Sequence, residues 1–426
     1  MHSATALPRD NLSREIFKAY DIRGIVGKTL TPDIVEAIGH ALGSEAKFRG
    51  QTEICIGYDG RLSGPDLAQA LSNGIRKAGV DVIHLGMVAT PMVYFAAYHL
   101  NTQCGVMVTG SHNPPDYNGL KMVLAGETLS NEAIQGLRAR VENKDLTYGE
   151  GLERKYDIVD DYINTIKADI NLTRPMRIAV DCGNGVAGAF AKTLYNAIGC
   201  HVEELFCEVD GHFPNHHPDP SVPENLSDLI ETLKTSRTEI GLAFDGDGDR
   251  LGVVTKEGNI IYPDRQLMLF AEDVLSNNPA ANIIFDVKST RNLTPWIIKH
   301  GGNPMMWKTG HSLVKAKIKE TNAALAGEMS GHVFFNDSKL TKKRWYGFDD
   351  GLYAGARLLE ILSRHPNPSE ILNNLPDSVS TPEQHIHMNE GEPHALISQL
   401  QKTANFAGAN EIITIDGLRV EYPDGF

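Results

Sequence analysis

The stretch IGLAFDGDGDR, residues 240–250, joins a short apolar run to three carboxylates that alternate with glycine. An apolar run of this length is typical of a buried β-strand, so the acidic residues follow the carboxyl end of that strand. Carboxylates this close together repel each other and favour a cationic partner. An EF-hand calcium loop is excluded, because its sixth and twelfth positions are basic here instead of Gly and Glu. Asp245, Asp247 and Asp249 are candidate Mg²⁺ ligands, and a solvated acidic turn is the alternative.

A similar unit recurs on both sides of this stretch: a strand, an Asp at its end, a small or basic turn, and a helix. The strands of these units are predicted at residues 53–57, 177–180 and 282–285, with helices from about 64, 187 and 292. A second strand follows in each unit and ends in an unusual loop, with these strands predicted at 105–108, 240–244 and 323–326. Since ligands bind beyond the carboxyl ends of strands in open α/β sheets, we expect the loops to share a cleft. The pattern predicts an α/β protein with three related α/β domains that have mixed sheets, plus a smaller, incomplete C-terminal α+β domain.

The predicted domains span residues 1–156, 157–259, 260–371 and 372–426. Linkers are expected at 150–155 and 364–368, and a hairpin turn at 256–259. The last unit has strand candidates at 383–388, 411–415 and 418–422.

Composition narrows the function classes. The 426 residues carry a formal net charge of −14, which disfavours nucleic acid and anionic membranes as partners. The five cysteines include no CxxC pair, which indicates free thiols in a reducing compartment. The chain has no apolar stretch suited to a signal peptide or a membrane span. We therefore expect a cytoplasmic protein, and a monomer.

The loop TGSHNP, residues 109–114, presents Ser111 as a candidate nucleophile. A nucleophile elbow requires Gly two residues before and after the serine, and neither is present. A P-loop is also absent. A turn-forming serine is the remaining alternative. Together with an Mg²⁺ loop, Ser111 suggests phosphoryl transfer through a seryl phosphate, in which Lys121 is a candidate to stabilise charge.

Two further segments carry candidate groups. The loop EMSGH, residues 328–332, offers Glu328 and Ser330 to sugar hydroxyls and His332 as a general acid or base. An ordinary loop is an equal alternative. The histidine-rich segment 212–220 lacks the ligand spacing of structural zinc and is interpreted as a loop.

These motifs resemble the α-D-phosphohexomutases, and most closely the bacterial phosphomannomutase/phosphoglucomutase branch. The resemblance extends from about Ile16 to the last residue, and it rests on KAYDIRG at 18–24, on the serine and acidic loops, and on GEMSGH at 327–332. It implies a four-domain enzyme that interconverts hexose 1- and 6-phosphates through a phosphoserine and a bisphosphorylated sugar, with hexose 1,6-bisphosphate as intermediate and activator.

The resemblance also implies site residues. Ser111 is the expected phosphoserine and a ligand of one Mg²⁺ together with the three aspartates. Arg23, Lys121 and His332 are expected to assist transfer, and Glu328 and Ser330 to contact sugar hydroxyls. The other substrate-binding residues expected in the cleft are Tyr20, Arg250, Lys288 and His311.

One departure concerns the C-terminus. In the family, the fourth domain carries a loop that grips the unreacting phosphate, and this chain reaches Phe426 before that loop. Because remote binding energy positions the reacting end of a substrate, we expect Ser111 chemistry with much-reduced turnover. The alternatives are a non-catalytic sugar-phosphate-binding remnant, a phosphoglucosamine mutase, or an Mg²⁺-dependent phosphatase that uses the same serine.

Overall fold

The first sheet lies within residues 22–155 of the computed structural model, which describes residues 12–340, 342–381, 384, 386, 388 and 392–426. Its strands are β1 (Ile22–Ile25), β2 (Glu53–Tyr58), β3 (Asp81–Met87), β4 (Gly105–Val108), β5 (Tyr117–Leu124), β6 (Glu127–Thr128) and β7 (Glu153–Lys155). Its helices are α1 (Pro32–Phe48), α2 (Gly64–Lys77), α3 (Thr90–His99) and α4 (Asn131–Asn143). The strand order is β1-β5-β4-β2-β3-β7, with β6 beside β5.

The second sheet has the order β12-β11-β10-β8-β9. Its strands are β8 (Met176–Asp181), β9 (Cys200–Leu205), β10 (Ile240–Phe244), β11 (Leu251–Thr255) and β12 (Ile260–Ile261). Helices α5 (Val159–Asp169), α6 (Ala191–Ala197) and α7 (Ser227–Thr235) accompany it. Every residue of β10 is buried, as expected for a strand covered on both faces.

The third sheet has the order β14-β13-β15-β16. Its strands are β13 (Asn282–Asp286), β14 (Asn303–Trp307), β15 (Leu325–Gly327) and β16 (Val333–Phe335), followed by a small hairpin of β17 (Ser338–Lys339) and β18 (Lys342–Lys343). Its helices are α8 (Pro263–Asn277), α9 (Leu293–Lys299), α10 (His311–Thr321), α11 (Gly351–Leu362) and α12 (Pro368–Asn373). The C-terminal part contains α13 (Glu392–Thr403), β19 (Glu411–Ile413) and β20 (Arg419–Glu421).

The three sheets repeat one arrangement. In each, a central strand (β2, β8 or β13) pairs in parallel with the strand that follows it and with the strand that leads into a site loop (β4, β10 or β15). The chain then returns as an antiparallel neighbour (β5, β11 or β16). The predicted α/β fold with related domains and mixed sheets is confirmed, and the three site loops occupy equivalent topological positions.

Local sequence explains where several helices begin. Thr31 caps α1, since its Oγ1 accepts a hydrogen bond from the Ile34 amide at 3.4 Å, and Pro32 occupies the first turn. Asp350 caps α11 in the same way, and accepts from the Tyr353 amide at 2.9 Å. These caps satisfy amides that have no partner inside the helix.

A continuous apolar cluster joins the first three domains. It contains Phe95 on α3, Phe244 on β10 and Trp345 ahead of α11. Trp345 stacks on Tyr353 at 4.1 Å between ring centroids and lies 5.9 Å from Phe95. Because buried aromatic rings bring large contact areas, this cluster fixes the site loops of separate domains relative to one another.

The structure differs from the sequence-based prediction in three places. The linker predicted at 150–155 is wrong in part, because Glu153–Lys155 forms β7 and extends the first sheet beside β3. The strand predicted at 323–326 begins two residues later, as Leu325–Gly327. The helix expected from about 187 is preceded by a 3₁₀ turn, Val186–Ala189, whose first amide donates to the Gly246 carbonyl of the acidic loop at 3.1 Å.

Other expectations have mixed outcomes. The hairpin at 256–259 is confirmed by the pairing of β11 with β12, and the C-terminal strands are found as Glu411–Ile413 and Arg419–Glu421. Most of the strand predicted at 383–388 lies outside the described residues. The boundaries at 156, 259 and 371 stay predictions. Within the described residues, no helix has both the length and the apolar character needed to cross a bilayer.

Candidate active site

The serine loop, the acidic loop and the loop at 328–332 meet at the carboxyl ends of β4, β10 and β15. Ser111 Oγ lies 3.1 Å from Asp245 Oδ2, and His332 Nε2 lies 3.2 Å from Asp249 Oδ1. The Leu251 amide donates to the Gly331 carbonyl at 3.1 Å. The three segments singled out from the sequence therefore form one site across three domains.

The three aspartates of the acidic loop are completely buried. Asp245 Oδ1 accepts the backbone amides of Asp249 and Arg250, each at 3.1 Å. Carboxylate oxygens from all three residues come within 4.8 Å of one another. Burial and the neighbouring Asp247 and Asp249 raise the pKa of Asp245 well above its usual value. Such a cluster needs positive charge to stay ionised.

Lys121 supplies part of that charge. It lies on β5 opposite Met107 of β4, and its Nζ is 2.8 Å from Asp247 Oδ2 and 2.5 Å from Asp249 Oδ2. Burial alone would lower the pKa of Lys121, but Asp247 and Asp249 raise it above its usual value. The buried lysine therefore stays protonated. Thr90, on α3, also donates to Asp247 Oδ2 at 2.5 Å.

The remaining oxygens of the triplet fit a hard divalent cation. Among the described residues, no hydrogen bond of good geometry reaches the buried Asp247 Oδ1 or Asp249 Oδ1, although His332 Nε2 lies 3.2 Å from the latter. Buried oxygens without partners are costly unless something else satisfies them. Because the candidate ligands are all oxygens and Ser111 Oγ adjoins them, the residues present match the preference of Mg²⁺.

The peptide at Ser111 has an unusual conformation. Ser111 has φ +48°, in the left-handed region that residues with a Cβ seldom adopt. Its amide donates to Thr109 Oγ1 at 2.7 Å, and Thr109 Oγ1 donates to Asp59 Oδ2 at 2.7 Å. Arg61 binds the Ser111 carbonyl at 2.8 Å. Asp59 and Arg61 belong to the repeated Asp and basic turn after the strand predicted at 53–57, and their contacts with the serine loop were not predicted.

Arg23 and Arg250 each contact a residue that neighbours the serine. Arg23, on β1, donates from Nη1 to the Gly110 carbonyl at 2.5 Å and pairs with Asp21 through Nη2. Arg250 Nε is 3.7 Å from Asp245 Oδ2. Each guanidinium thus borders the surroundings of Ser111, Arg23 through the preceding peptide and Arg250 through the carboxylate that Ser111 Oγ contacts.

Tyr20 and His311 are brought together by the turn before α10. The Tyr20 hydroxyl donates to the Thr309 carbonyl at 3.1 Å, and its ring lies 6.5 Å from the ring of His311. Gly310, at φ +130°, passes so close that a Cβ there would be 2.7 Å from the Tyr20 ring. The Gly310 amide donates to a Glu328 carboxylate oxygen. This turn therefore connects the first domain with the loop of the third.

Glu328, Ser330 and His332 form a compact group. Ser330 Oγ lies 2.9 Å from His332 Nδ1, and a Glu328 oxygen lies 3.4 Å from the same nitrogen. Burial raises the pKa of Glu328 to about 7, against the opposing effect of His332. Ser330 is only partly buried, so its side chain is accessible to solvent.

Lys288 occupies the turn after β13 and is exposed. Arg419, from β20, donates to the carbonyls on both sides of it, Val287 at 2.7 Å and Ser289 at 2.6 Å. The C-terminal strands thus hold the turn that carries Lys288.

Asp349 and Lys315 also belong to this site and were missed. Asp349 is fully buried, its Oδ1 accepts from Lys315 Nζ at 2.8 Å, and its Oδ2 is 3.7 Å from His332 Nε2 and 4.0 Å from His311 Nδ1. The paired acids in GFDDG, residues 347–351, were the available sequence signal.

The histidine-rich segment 212–220 is a loop, as predicted. His216 Nε2 lies 3.0 Å from Asp181 Oδ1 at the end of β8, and His217 donates to the His112 carbonyl. The segment therefore connects the second domain to the serine loop.

Comparison with known proteins agrees with this arrangement. Models of the phosphoglucomutase/phosphomannomutase α/β/α domains I, II and III match residues 14–148, 160–258 and 262–379. A phosphoglucomutase of Neisseria meningitidis serogroup A is 61% identical over 419 residues, which cover 98% of this chain and 90% of that protein. A phosphomannomutase/phosphoglucomutase of Pseudomonas aeruginosa is 56% identical over 416 residues, covering 97% and 88%.

A solved structure supports the same assignment. The crystal structure of a phosphoglucomutase/phosphomannomutase family protein from Burkholderia thailandensis superposes with a TM-score of 0.91 at 58% identity, covering 97% of this chain and 89% of that one. The repeated α/β domains and their shared site define an enzyme of the phosphotransferase mutase class. The chain belongs to the phosphoglucomutase/phosphomannomutase family, which confirms the resemblance seen in its motifs.

Proposed function

We propose that the chain interconverts hexose 1-phosphate and hexose 6-phosphate, with mannose or glucose as the sugar, through a phosphoserine at Ser111 and a bisphosphorylated sugar. The observation that carries this proposal is the contact of Ser111 Oγ with Asp245, at the edge of a buried carboxylate triplet. The names of the relatives, phosphoglucomutase and phosphomannomutase/phosphoglucomutase, support the choice of sugars.

Asp245, Asp247, Asp249 and Ser111 would hold one Mg²⁺. The ion would offset negative charge on the oxygens of the transferring group. Thr90 and Lys121 orient Asp247 through its Oδ2, which leaves the other oxygen free for the ion.

The chain's own residues carry the transfer. The sugar hydroxyl oxygen attacks the phosphorus on Ser111, the bond from phosphorus to Ser111 Oγ breaks, and the hydroxyl proton passes to His332. Ser330 and Glu328 hold the Nδ1 edge of the His332 ring, so Nε2, which lies 3.2 Å from Asp249 Oδ1, is the nitrogen left for the proton. Lys121 and Arg23 place positive charge beside the migrating group. In the return step Ser111 Oγ, which leaves the first transfer as an alkoxide, attacks the phosphorus at the other end of the reoriented bisphosphorylated sugar. The bond from that phosphorus to the sugar oxygen breaks, His332 gives its proton to this oxygen, and the phosphoserine is regenerated.

Substrate binding is assigned to the groups that border the cleft. Glu328 and Ser330 would contact sugar hydroxyls, since a carboxylate and a hydroxyl together accept and donate hydrogen bonds. Arg250, Lys288, His311 and Tyr20 would contact the rest of the substrate. Lys288 and Arg250 suit a phosphate by charge.

The test combines intact mass with turnover. The purified chain is incubated with glucose 1,6-bisphosphate, and one phosphoryl group is expected on Ser111, followed by isomer formation from glucose 1-phosphate and mannose 1-phosphate. Release of inorganic phosphate without formation of the isomeric sugar phosphate indicates a phosphatase. Binding of the sugar phosphate without conversion indicates a non-catalytic sugar-phosphate-binding protein. Faster conversion of glucosamine 1-phosphate indicates a phosphoglucosamine mutase.

The same assay addresses activation by hexose 1,6-bisphosphate, which stays a prediction. The monomeric state is a further prediction, which light scattering on the eluting protein would measure.

A further inference from the structure

The consecutive carbonyl oxygens of residues 110–114 are each bound by a side chain. Arg23 Nη1 binds the Gly110 oxygen, and His217 Nε2 binds the His112 oxygen. The carbonyls of residues 111, 113 and 114 are all bound by Arg61. In this irregular loop Gly110 and Ser111 are buried, and buried backbone groups outside regular structure must find other partners, which charged or aromatic side chains provide here.

Arg61 makes the largest share of these contacts. Its Nη2 donates to the carbonyls of Ser111 at 2.8 Å and Asn113 at 2.6 Å, and its Nη1 donates to those of Pro114 at 2.5 Å and Tyr117 at 3.0 Å. The side chain is completely buried. A planar guanidinium can bind several carbonyls in a fixed geometry, which the single ammonium of lysine cannot reproduce.

Asp59 connects this guanidinium to the other side of Ser111. Asp59 Oδ2 is 3.3 Å from Arg61 Nε and accepts the Thr109 hydroxyl at 2.7 Å. The Thr109 oxygen in turn accepts the Ser111 amide at 2.7 Å. The Asp59–Arg61 pair therefore fixes both peptide groups of Ser111, the amide through Thr109 and the carbonyl directly.

The conformation that this pair holds is one that the chain would not adopt unaided. Ser111 has φ +48°, which crowds its Cβ against the backbone. Gly110 lies against the Arg61 guanidinium so closely that a Cβ there would be 2.3 Å from Arg61 Cζ. A strained residue persists only where its surroundings determine it, and here Arg61 and Asp59 do so.

We propose that Arg61 is a positioning residue for phosphoryl transfer, because it holds Ser111 in the left-handed conformation that directs Oγ toward Asp245. This inference rests on the proposed phosphoserine. Arg61 itself touches no reacting atom. Its contribution is the placement of the serine oxygen, and a displacement of about 1 Å in a reacting group can cost about 100-fold in rate.

The chain offers a matched control. Arg265, in the third domain, donates from Nη2 to the carbonyls of Leu372, Asn373 and Leu375 at 3.2, 3.4 and 3.0 Å. It is also mostly buried. Arg265→Lys therefore removes the same kind of contact at a distance from Ser111, and it reports the general cost of losing a carbonyl-binding arginine.

The test uses the full chain with wild type, Arg61→Lys and Arg265→Lys. Phosphorylation of Ser111 by glucose 1,6-bisphosphate is measured by mass, and transfer from the isolated phosphoenzyme to glucose 1-phosphate is followed in a single turnover. We expect Arg61→Lys to transfer about 100-fold more slowly, with little change in KM or in the Mg²⁺ dependence. Arg265→Lys is expected to transfer at the wild-type rate, whatever its thermal stability.

Thr109→Val provides a second variant if Arg61→Lys does not fold. It keeps the shape of the side chain but removes the oxygen that joins Asp59 to the Ser111 amide, and a slowing of about tenfold is expected. Transfer at the wild-type rate in either folded variant overturns the positioning role alone. A wild-type chain that never carries phosphate on Ser111 overturns the proposed function, and the positioning role with it.

Discussion

Ser111 Oγ donates a hydrogen bond to Asp245 Oδ2 over 3.1 Å, although 134 positions separate the two residues in the chain. The serine belongs to the first domain and the aspartate to the second. The contact therefore places a hydroxyl from one domain on the buried acidic loop of another. Substitutions in either loop should therefore affect both the phosphorylation of the serine and the binding of a cation by the aspartates.

Ser111→Ala should abolish the phosphate label on the protein, because the acceptor oxygen is gone. Turnover should fall by at least about 1,000-fold, since removal of a covalent nucleophile eliminates the two-step route. Intact mass after incubation with glucose 1,6-bisphosphate is the measurement. Ser130→Ala, at a helix cap without a side-chain hydrogen bond, is the control. A label of unchanged stoichiometry in Ser111→Ala would disprove the serine assignment.

Asp247→Asn should weaken the dependence of activity on Mg²⁺. The change removes a negative charge from the triplet, and the half-saturating Mg²⁺ concentration should rise by at least about tenfold, since losses of supporting groups alone reach that size. Removal of divalent ions with a chelator should stop wild-type turnover reversibly. Asp228→Asn, exposed on α7, should leave the titration unchanged.

Lys121→Met should lower the free energy of unfolding by about 3–5 kcal/mol in the absence of divalent ions, because buried carboxylates lose their cation. Added Mg²⁺ should narrow this deficit by supplying positive charge to the same oxygens. Urea titrations with and without Mg²⁺ provide the comparison. Lys77→Met, which removes an exposed pair with Glu36, should cost no more than about 1 kcal/mol under both conditions. If Lys121→Met lost the same free energy of unfolding with and without Mg²⁺, the lysine and the ion would not neutralise the same carboxylates.

The Asp350 carboxyl lies at the contact of the second and third domains, and it should make the free energy of unfolding depend on pH. Tyr162 of α5 lies 2.8 Å from Asp350 Oδ1, and burial raises the pKa of this carboxyl from 3.8 to about 8. Because the folded state favours the protonated carboxyl, the stabilisation that Asp350 contributes is complete below about pH 4. It is lost as the pH rises through about 8.

Asp350→Asn keeps the shape of the side chain but cannot ionise. The free energy of unfolding of Asp350→Asn minus that of wild type should therefore rise as the pH increases from about 4 to 8. Urea unfolding across this range measures the difference between the two proteins. A constant difference would show that Asp350 does not titrate there.

Local patterns were sufficient for much of the fold and for the centre of the site. The strands Gly105–Val108 and Ile240–Phe244 were predicted with their observed bounds, because each is a short apolar run that ends in a polar loop. Ser111 and the aspartates were recognised for the same reason, since each motif lies within a few consecutive residues.

The supporting groups could not be found in this way. Arg61 meets the Ser111 carbonyl from 50 positions away, and Asp350 meets Tyr162 across 188. Their roles depend on which loops the sheets bring together, which no local pattern contains. The 3₁₀ turn ahead of α6 likewise includes a contact that no local pattern contains, the hydrogen bond from the Val186 amide to the Gly246 carbonyl.

The three site loops occupy equivalent positions in repeated domains, but each has a different proposed role. In the proposed function, the first repeat supplies the nucleophile and the second supplies the aspartates that would hold the cation. The third supplies the sugar contacts and the proton acceptor His332. Each loop connects neighbouring strands of its own sheet, so one can be lengthened or exchanged without altering the framework of the other two. Changes in the third repeat that keep His332 in place would therefore alter the sugar contacts while the nucleophile of the first repeat and the cation ligands of the second are kept.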